Sequence, residues 1–217
     1  MLTTCDLFDL DHTIAKEYLS GFSRPWEALD GLKTFLAALG PALSDHREIA
    51  PQVWVHPTAK IAPTAHLGEG CIIGPGAEVR HCAFIRGSAL VGAGCVVGNS
   101  TEIKNAILFD NVQVPHYNYV GDSILGYKAH MGAGAVTSNV KSDRTPVVIR
   151  MGDEAVDTGL KKLGALLGDH AEIGCGCVLN PGCIIGRESS VYPLCSVRGF
   201  VPPRSIYKTG GVITARR

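Results

Sequence analysis

The sequence predicts a mainly β protein, a parallel β-helix preceded by a helical segment. The main observation is a six-residue period that runs onward from Val55. In the first series every hexad begins with Val, Ile or Leu, position two is often Gly, and eight of the nine have Ala, Cys or Thr at position five. This period fits neither a helix nor a simple alternating strand. Three such hexads form one triangular coil of a solenoid, which buries its apolar residues by stacking on the next coil.

A second observation is that the hexads do not share one frame. The first series runs from VHPTAK at residue 55 to IKNAIL at residue 108, and two later series begin at Leu125 and Leu167 in a common, different frame. Between them lies VPHYNYVGDSILG, residues 114–126. Because an interruption of a stacked prism costs packing, we expect this stretch to leave the regular coil and to carry function.

The cysteines follow the same period. The chain has eight Cys and no C-x-x-C pair, and Cys71, Cys95, Cys177 and Cys183 all occupy the fifth hexad position. Cysteine behaves as a small hydrophobic residue in such a slot. We therefore expect free, buried thiols and no metal site.

The remaining segments complete the domain organisation. Residues 1–54 lack hexads and have apolar residues at helical spacing, so we expect two helices that cover the open N-terminal end of the solenoid. The solenoid spans 55–207, with an inserted loop or hairpin at about 140–166 that turns at Gly152–Asp153, and 208–217 form a tail. The insertion either closes over a ligand or packs on a neighbour.

Composition excludes several classes of protein. The formal net charge is zero, and no basic stripe or polybasic run is present, so we expect neither a nucleic-acid nor a membrane partner. No apolar run approaches the roughly 20 residues that a membrane-spanning helix requires. The N-terminal stretch has acidic residues and no apolar leader, which predicts a cytoplasmic location.

Three polar residues are candidates for catalysis or for binding an anionic ligand. His116 lies where the frame changes, and histidine suits general-base catalysis because its proton affinity is close to neutrality. Arg86 and Lys104 occupy the second hexad position, which small residues usually fill, near a predicted coil corner. Two long cations there suit an anionic group such as a phosphate.

The stretch from IRGSALVGAGC through VPHYNYVGDSI to MGAGAVTSN, residues 85–139, carries a family resemblance. It resembles the C-terminal acetyltransferase domain of the bifunctional N-acetylglucosamine-1-phosphate uridyltransferase/glucosamine-1-phosphate acetyltransferase. It is most similar to the archaeal-type sugar-1-phosphate enzymes, and the likeness covers roughly 70–207. The resemblance implies a left-handed β-helix, a homotrimer with its active site between prisms, and acetyl-CoA as co-substrate without a metal. The nucleotidyltransferase domain of the bifunctional enzymes has no counterpart here.

The resemblance also implies residue roles. His116 matches the catalytic base, and four positions match the sugar-phosphate site: Arg86, Lys104, Tyr119 and Asn139. The implied oxyanion donors are backbone N–H groups beside Gly132–Gly134 or the Asn139 amide. Gly134, Cys175 and Tyr192 fall on the coils that contact CoA, where the match is weak. His130 stands where the two-domain bacterial enzymes have a sugar-binding Asn, and Val140 where they have Tyr.

Three functions remain open at this stage. The first is acetyl transfer to an amino-sugar 1-phosphate, with glucosamine 1-phosphate favoured, and His116, Tyr119 and Asn139 support it. The second is a non-catalytic subunit that binds a sugar phosphate or nucleotide sugar beside a separate nucleotidyltransferase, which His130 and Val140 favour. The third is a zinc hydratase of the γ-carbonic anhydrase kind, but its closely spaced histidine ligands have no match in the sequence.

Overall fold

The computed structural model describes residues 2–216. The helices are α1 (Thr4–Leu7), α2 (Lys16–Ser20) and α3 (Leu32–Leu39), with single 3₁₀ turns at Leu10–His12, Pro25–Leu29, Gly40–Ala42 and Thr209–Gly211. All the remaining regular structure is strand, which confirms the mainly β prediction. No helix in the described part of the chain is long and apolar enough to cross a membrane.

Parallel strands stack on three faces of a solenoid. Face 1 is a nine-stranded sheet made of β3 (Lys60–Ile61), β6 (Glu78–Val79), β8 (Val96–Asn99), β10 (Gln113–His116), β12 (His130–Met131), β17 (Glu172–Ile173), β20 (Ser190–Val191), β23 (Ser205–Tyr207) and the antiparallel β24 (Ile213–Ala215).

The second sheet bends around one corner of the prism and forms faces 2 and 3. Its three long strands cross both faces: β7 (Phe84–Val91), β9 (Glu102–Leu108) and β11 (Tyr119–Leu125). Face 2 adds β4 (His66–Leu67), β13 (Val136–Thr137), β18 (Val178–Leu179) and β21 (Ser196–Val197). Face 3 adds β1 (Arg47–Ala50), β2 (Val53–Val55), β5 (Cys71–Ile73), β16 (Ala165–Leu167), β19 (Cys183–Ile185) and β22 (Phe200–Val201).

The coils change length along the axis, and this explains the shift of frame. Cys71 pairs with Ala89, but Ala89 pairs with Ala106 and Ala106 with Ser123, so the spacing falls from 18 residues to 17. At a bulge between Ile85 and Gly87, one residue of β7 has no partner in β9, and the coil spacing falls by one residue from this point. The expectation that residues 114–126 leave the coil is wrong, because β10 and β11 continue the stack in register.

Each corner of the prism has a column of residues with positive φ. Corner 1, between faces 1 and 2, includes Cys82, Ser100, Tyr117, Gly134, Gly176 and Leu194. Corner 2, between faces 2 and 3, includes Gly70, Ser88, Asn105 and Asp122. Asn and Asp tolerate the left-handed region better than most residues, which suits them to a tight corner.

The N-terminal segment lies along the side of the prism rather than over its open end. The 3₁₀ turn at Pro25–Leu29 contacts β11, and α3 contacts β7 and β9. The surface beneath is the outward row of face 3, which is aliphatic and fully buried: Ile72, Leu90, Ile107, Ile124, Leu166 and Ile184. Because successive strand residues point to opposite sides, an apolar outward row must be covered. The apolar sixth residues of the hexads LGEGCI, IRGSAL and LNPGCI, which are Ile72, Leu90 and Ile184, are the signal of this cover.

The insertion contains a hairpin of β14 (Val148–Met151) and β15 (Glu154–Asp157), in which Met151 pairs with Glu154. Its turn is at Gly152 and Asp153, the two residues at which the sequence places it. The hairpin packs on β22, and Val147 and Ile149 lie against Gly182. It thereby extends the cover of face 3 toward the C-terminal coils.

Four cysteines at the fifth hexad position, Cys71, Cys95, Cys177 and Cys183, are all fully buried, as predicted. Burial raises the pKa of the Cys71 and Cys95 thiols to about 12. Such thiols stay protonated and act as small apolar side chains inside the prism.

Candidate active site

A buried carboxylate organises corner 2. Asp122 is only 4% exposed, and its Oδ1 accepts a hydrogen bond of 2.8 Å from the Asn105 amide of the preceding coil. Its Oδ2 lies 3.6 Å from Lys104 Nζ and accepts a hydrogen bond from the Asn139 amide. A buried charge is stable only when it is paired and hydrogen-bonded, and three partners meet that requirement here.

Tyr119 lies against this carboxylate. Its hydroxyl accepts a hydrogen bond of 3.2 Å from Asn139 Nδ2, and burial, followed by the charge of Asp122, raises the pKa of the phenol. A Cβ at Gly121 would come within 2.4 Å of the Tyr119 hydroxyl oxygen. The glycine of the YVGD stretch therefore makes room for the ring beside Asp122.

Arg86 completes the group that we call the corner-2 cluster: Arg86, Lys104, Asn105, Tyr119, Asp122 and Asn139. Arg86 is the extra residue of the bulge in β7, and its Nη1 lies 3.3 Å from Glu102 Oε1 on the next coil. The structure thus brings together the four residues that the resemblance assigns to a sugar-phosphate site. A cleft of about 360 Å³, the α3 cleft, opens beside two of them and is lined by Lys33, Glu69, Arg86, Gly87, Ser88, Lys104 and Asn105.

His116 lies apart from this cluster, at the exposed end of β10 beside corner 1. Its backbone is fixed by Asn118, whose Oδ1 accepts a hydrogen bond of 3.1 Å from the His116 N–H. The Asn118 amide also donates to the carbonyls of Gly132 and Ala135, at 2.8 and 3.0 Å. The imidazole itself has no hydrogen-bond partner within residues 2–216.

The three residues assigned to CoA follow His116 along corner 1. The Gly134 N–H donates to the His116 carbonyl at 3.0 Å, and a Cβ at Gly132 would come within 2.7 Å of Cys175 N. Tyr192 is 46% exposed on the coil after Cys175. The structure therefore brings His116, Gly134, Cys175 and Tyr192 to one exposed edge on successive coils.

The structure does not bring His130 to either group. It lies on face 1, paired with Gln113 rather than with His116, and its Nδ1 is 2.9 Å from Glu172 Oε2. Val140, next to Asn139, is exposed. Across the described chain, no group of three or more His, Cys, Asp or Glu side chains is arranged to hold a metal ion.

Sequence reasoning missed Asp122, Asn105 and Asn118, the residues that hold the two groups in place. A usable signal existed, because Asn105 and Asp122 are one 17-residue coil apart and both are residue types that favour a left-handed corner. Lys33 had no signal, since it lies in the helical segment whose docking position the hexads do not specify.

Two family models match parts of the chain. The bacterial transferase hexapeptide family (six repeats) matches residues 48–81, and the GMPPB C-terminal domain family matches residues 71–156. Both matches fall on the solenoid and its insertion.

Two curated relatives align over most of this chain. It is 30% identical over 205 residues to the bifunctional protein GlmU of Methanococcus vannielii, covering 92% of this chain and 49% of the relative. It is 27% identical over 182 residues to the bifunctional sugar-1-phosphate nucleotidylyltransferase/acetyltransferase of Sulfurisphaera tokodaii, covering 81% and 45%. The chain thus spans about half the length of the curated relatives that it matches.

Among solved structures, the acetyltransferase domain of PglB from Neisseria gonorrhoeae in complex with acetyl coenzyme A aligns with a TM-score of 0.36 and 17% identity. That alignment covers 75% of this chain and 57% of the PglB domain. Taken with the fold and the two corner groups, the sequence matches lead to one conclusion: this chain carries the hexapeptide repeat of the bacterial transferases and resembles the bifunctional sugar-1-phosphate enzymes over most of its own length.

Proposed function

We propose that the protein transfers an acetyl group from acetyl-CoA to the amino group of an amino-sugar 1-phosphate, with glucosamine 1-phosphate as the preferred acceptor. The observation that carries the proposal is the corner-2 cluster, in which Lys104, Tyr119 and Asn139 lie around Asp122 and Arg86 lines the adjoining cleft with Lys104. These residues are well separated in sequence and meet only in the folded coil. The relatives, one of which is described as a sugar-1-phosphate nucleotidylyltransferase/acetyltransferase, support the same reaction class.

In this proposal the corner-2 cluster binds the acceptor. Arg86 and Lys104 contact the phosphate, because a guanidinium and an ammonium form charge-assisted hydrogen bonds with phosphate oxygens. Tyr119 and Asn139 contact the sugar hydroxyls. Since Asp122 holds Lys104 and Asn139 before any ligand arrives, the side chains lose little freedom on binding.

His116 acts as the general base. The amino nitrogen attacks the thioester carbonyl carbon, the carbon–sulfur bond breaks and CoA leaves as a thiolate. The imidazole takes the proton that the amine loses and returns it to the departing sulfur, which gives the free thiol. An exposed imidazole without a hydrogen-bond partner in the described chain is free for this task.

The oxyanion of the tetrahedral intermediate needs a donor. The sequence offers backbone N–H groups beside Gly132–Gly134 or the Asn139 amide, and the structure shows that the Asn139 amide donates to Asp122. The Gly132 N–H donates to Ile173 O and the Gly134 N–H to His116 O, at 2.7 and 3.0 Å. Ala133, between them at the exposed corner, has an N–H with no protein acceptor in the described chain. We propose this N–H as the oxyanion donor.

The two corners suggest that the complete site needs a second copy of the chain. His116 borders corner 1, whereas Arg86 and Lys104 lie toward corner 2 on face 2. A ring of three prisms would bring corner 1 of one copy toward corner 2 of the next. We propose a homotrimer in which His116 and the cluster of a neighbouring copy act together.

The proposal is tested by mixing the protein with acetyl-CoA and glucosamine 1-phosphate and following the release of CoA thiol. His116→Ala should lower the rate by about 100-fold or more, the usual contribution of a positioned general base. Its circular dichroism and melting temperature should not change, because the side chain is exposed. A panel of amino-sugar phosphates and nucleotide-linked amino sugars identifies the preferred acceptor.

The absence of thiol release would contradict the proposal. If the folded wild-type protein releases no thiol with any acceptor of the panel, acetyl transfer is not its function. Saturable binding of a sugar phosphate without thiol release would instead favour the non-catalytic binding subunit.

A further inference from the structure

The α3 cleft contains a cation that does not belong to the solenoid. Helix α3 packs on β7 and β9, and its residues Leu32 and Leu36 are buried. Lys33, between them in sequence, is exposed and lines the cleft with Arg86 and Lys104. Lys33 forms no ion pair and no side-chain hydrogen bond within the described chain. The cleft is therefore built from two parts of the protein, the coils and the N-terminal segment.

Of the three cations that line the cleft, only Lys33 forms no ion pair in the described chain. Arg86 already faces Glu102 at 3.3 Å, and Lys104 already faces Asp122 at 3.6 Å. Each of these cations is thus largely compensated before a ligand binds. A phosphate monoester carries about −1.5 to −2 charge near neutral pH and needs positive charge that no carboxylate has already balanced.

We propose that Lys33 is the third cation of the α3 cleft and binds a phosphate group jointly with Arg86 and Lys104. The N-terminal segment then forms part of the ligand site, in addition to covering the apolar face of the solenoid. The identity of the ligand as a sugar phosphate rests on the proposed function, whereas the anion site itself rests on the cleft and its charges.

Glu69 provides a control within the same cleft. It is exposed, lines the cleft together with the three cations, and has no ion pair in the described chain. Its carboxylate repels an incoming anion, so removing its charge should act in the opposite direction to removing that of Lys33. A merely structural role for the helix would not produce effects of opposite sign.

The test measures the binding of inorganic phosphate to the full-length protein by isothermal titration calorimetry. Lys33→Met should raise the dissociation constant by about tenfold, the scale of one charge-assisted contact. Lys33→Arg should restore most of the affinity, and Glu69→Gln should lower the dissociation constant by about threefold. Lys60→Met, which removes an exposed lysine on face 1, should change it by less than about twofold.

Unchanged phosphate affinity in Lys33→Met, or no saturable phosphate binding by the wild-type protein, would overturn the inference. Both outcomes are independent of acetyl transfer. If phosphate binding responds to Lys33 and Glu69 but no acceptor is acetylated, the anion site is supported and the proposed reaction is not. If acetyl transfer proceeds and the phosphate affinity is the same in Lys33→Met as in the wild-type protein, the reaction is supported and the inference fails.

Discussion

Corners 1 and 2 belong to the same prism, yet they hold their polar groups differently. At corner 2 the carboxylate of Asp122 is buried and has three partners, so the side chains around it are in place in the single chain. At corner 1 the backbone of His116 is fixed through Asn118, but the imidazole is exposed and has no partner in the described chain.

The fixed side chains of corner 2 and the unpartnered imidazole of corner 1 suit different roles in the proposed reaction. Groups that bind a ligand benefit from being fixed in advance, because less freedom is lost on binding. A general base must stay free to take a proton from its substrate. In the proposed reaction, corner 2 therefore binds the acceptor and corner 1 carries the base.

Removing the centre of corner 2 should have the largest effect on stability. Asp122→Ala leaves Lys104, Asn105 and Asn139 without their shared partner, and we expect the free energy of unfolding to fall by about 3 kcal/mol. Urea denaturation measures this change. Asp153→Ala, at the exposed hairpin turn, should stay within about 0.5 kcal/mol of wild type. Equal stability of the two variants would show that corner 2 is not organised by its carboxylate.

The anchor of corner 1 should matter less for stability. Asn118→Ala leaves the carbonyls of Gly132 and Ala135 without a donor, and we expect a loss of about 2 kcal/mol in the same urea experiment. Acetyl transfer should also fall, because the backbone at His116 loses its support. A variant with full stability and full activity would mean that the amide does not position the base.

The smallest effect concerns the thiol of Cys175, which precedes Gly176 of corner 1. Cys5, Cys82 and Cys175 are exposed and the other five cysteines are buried, so iodoacetamide should alkylate three sites in the native protein. Acetyl-CoA, which has no free thiol, should slow alkylation of Cys175 if CoA lies along corner 1. Peptide mass spectrometry follows each site, with Cys5 and Cys82 as internal references. Equal alkylation rates at Cys175 with and without acetyl-CoA would show that CoA does not bind along this edge.

For the candidate site, the sequence suggests which residues take part but not which of them lie together. Chemistry and resemblance identify His116, Arg86, Lys104, Tyr119 and Asn139 from the sequence, but His130 lies elsewhere, held by Glu172 on face 1. Residue type indicates what a side chain can do, whereas its neighbours depend on which coil and corner it occupies. That placement needs the coil length, and the bulge at Arg86 changes the coil length without a local signal.

The sequence by itself determined the solenoid. Hexad periodicity is a local property that sets which side of each strand faces the interior, so the stacked faces and the buried cysteines follow from it. Only the tertiary structure decided where the coils shorten to 17 residues, that Asp122 collects its partners from the coils before and after its own, and that the N-terminal segment covers face 3. The physical reason is that these features depend on contacts between residues distant in sequence, which no six-residue pattern encodes.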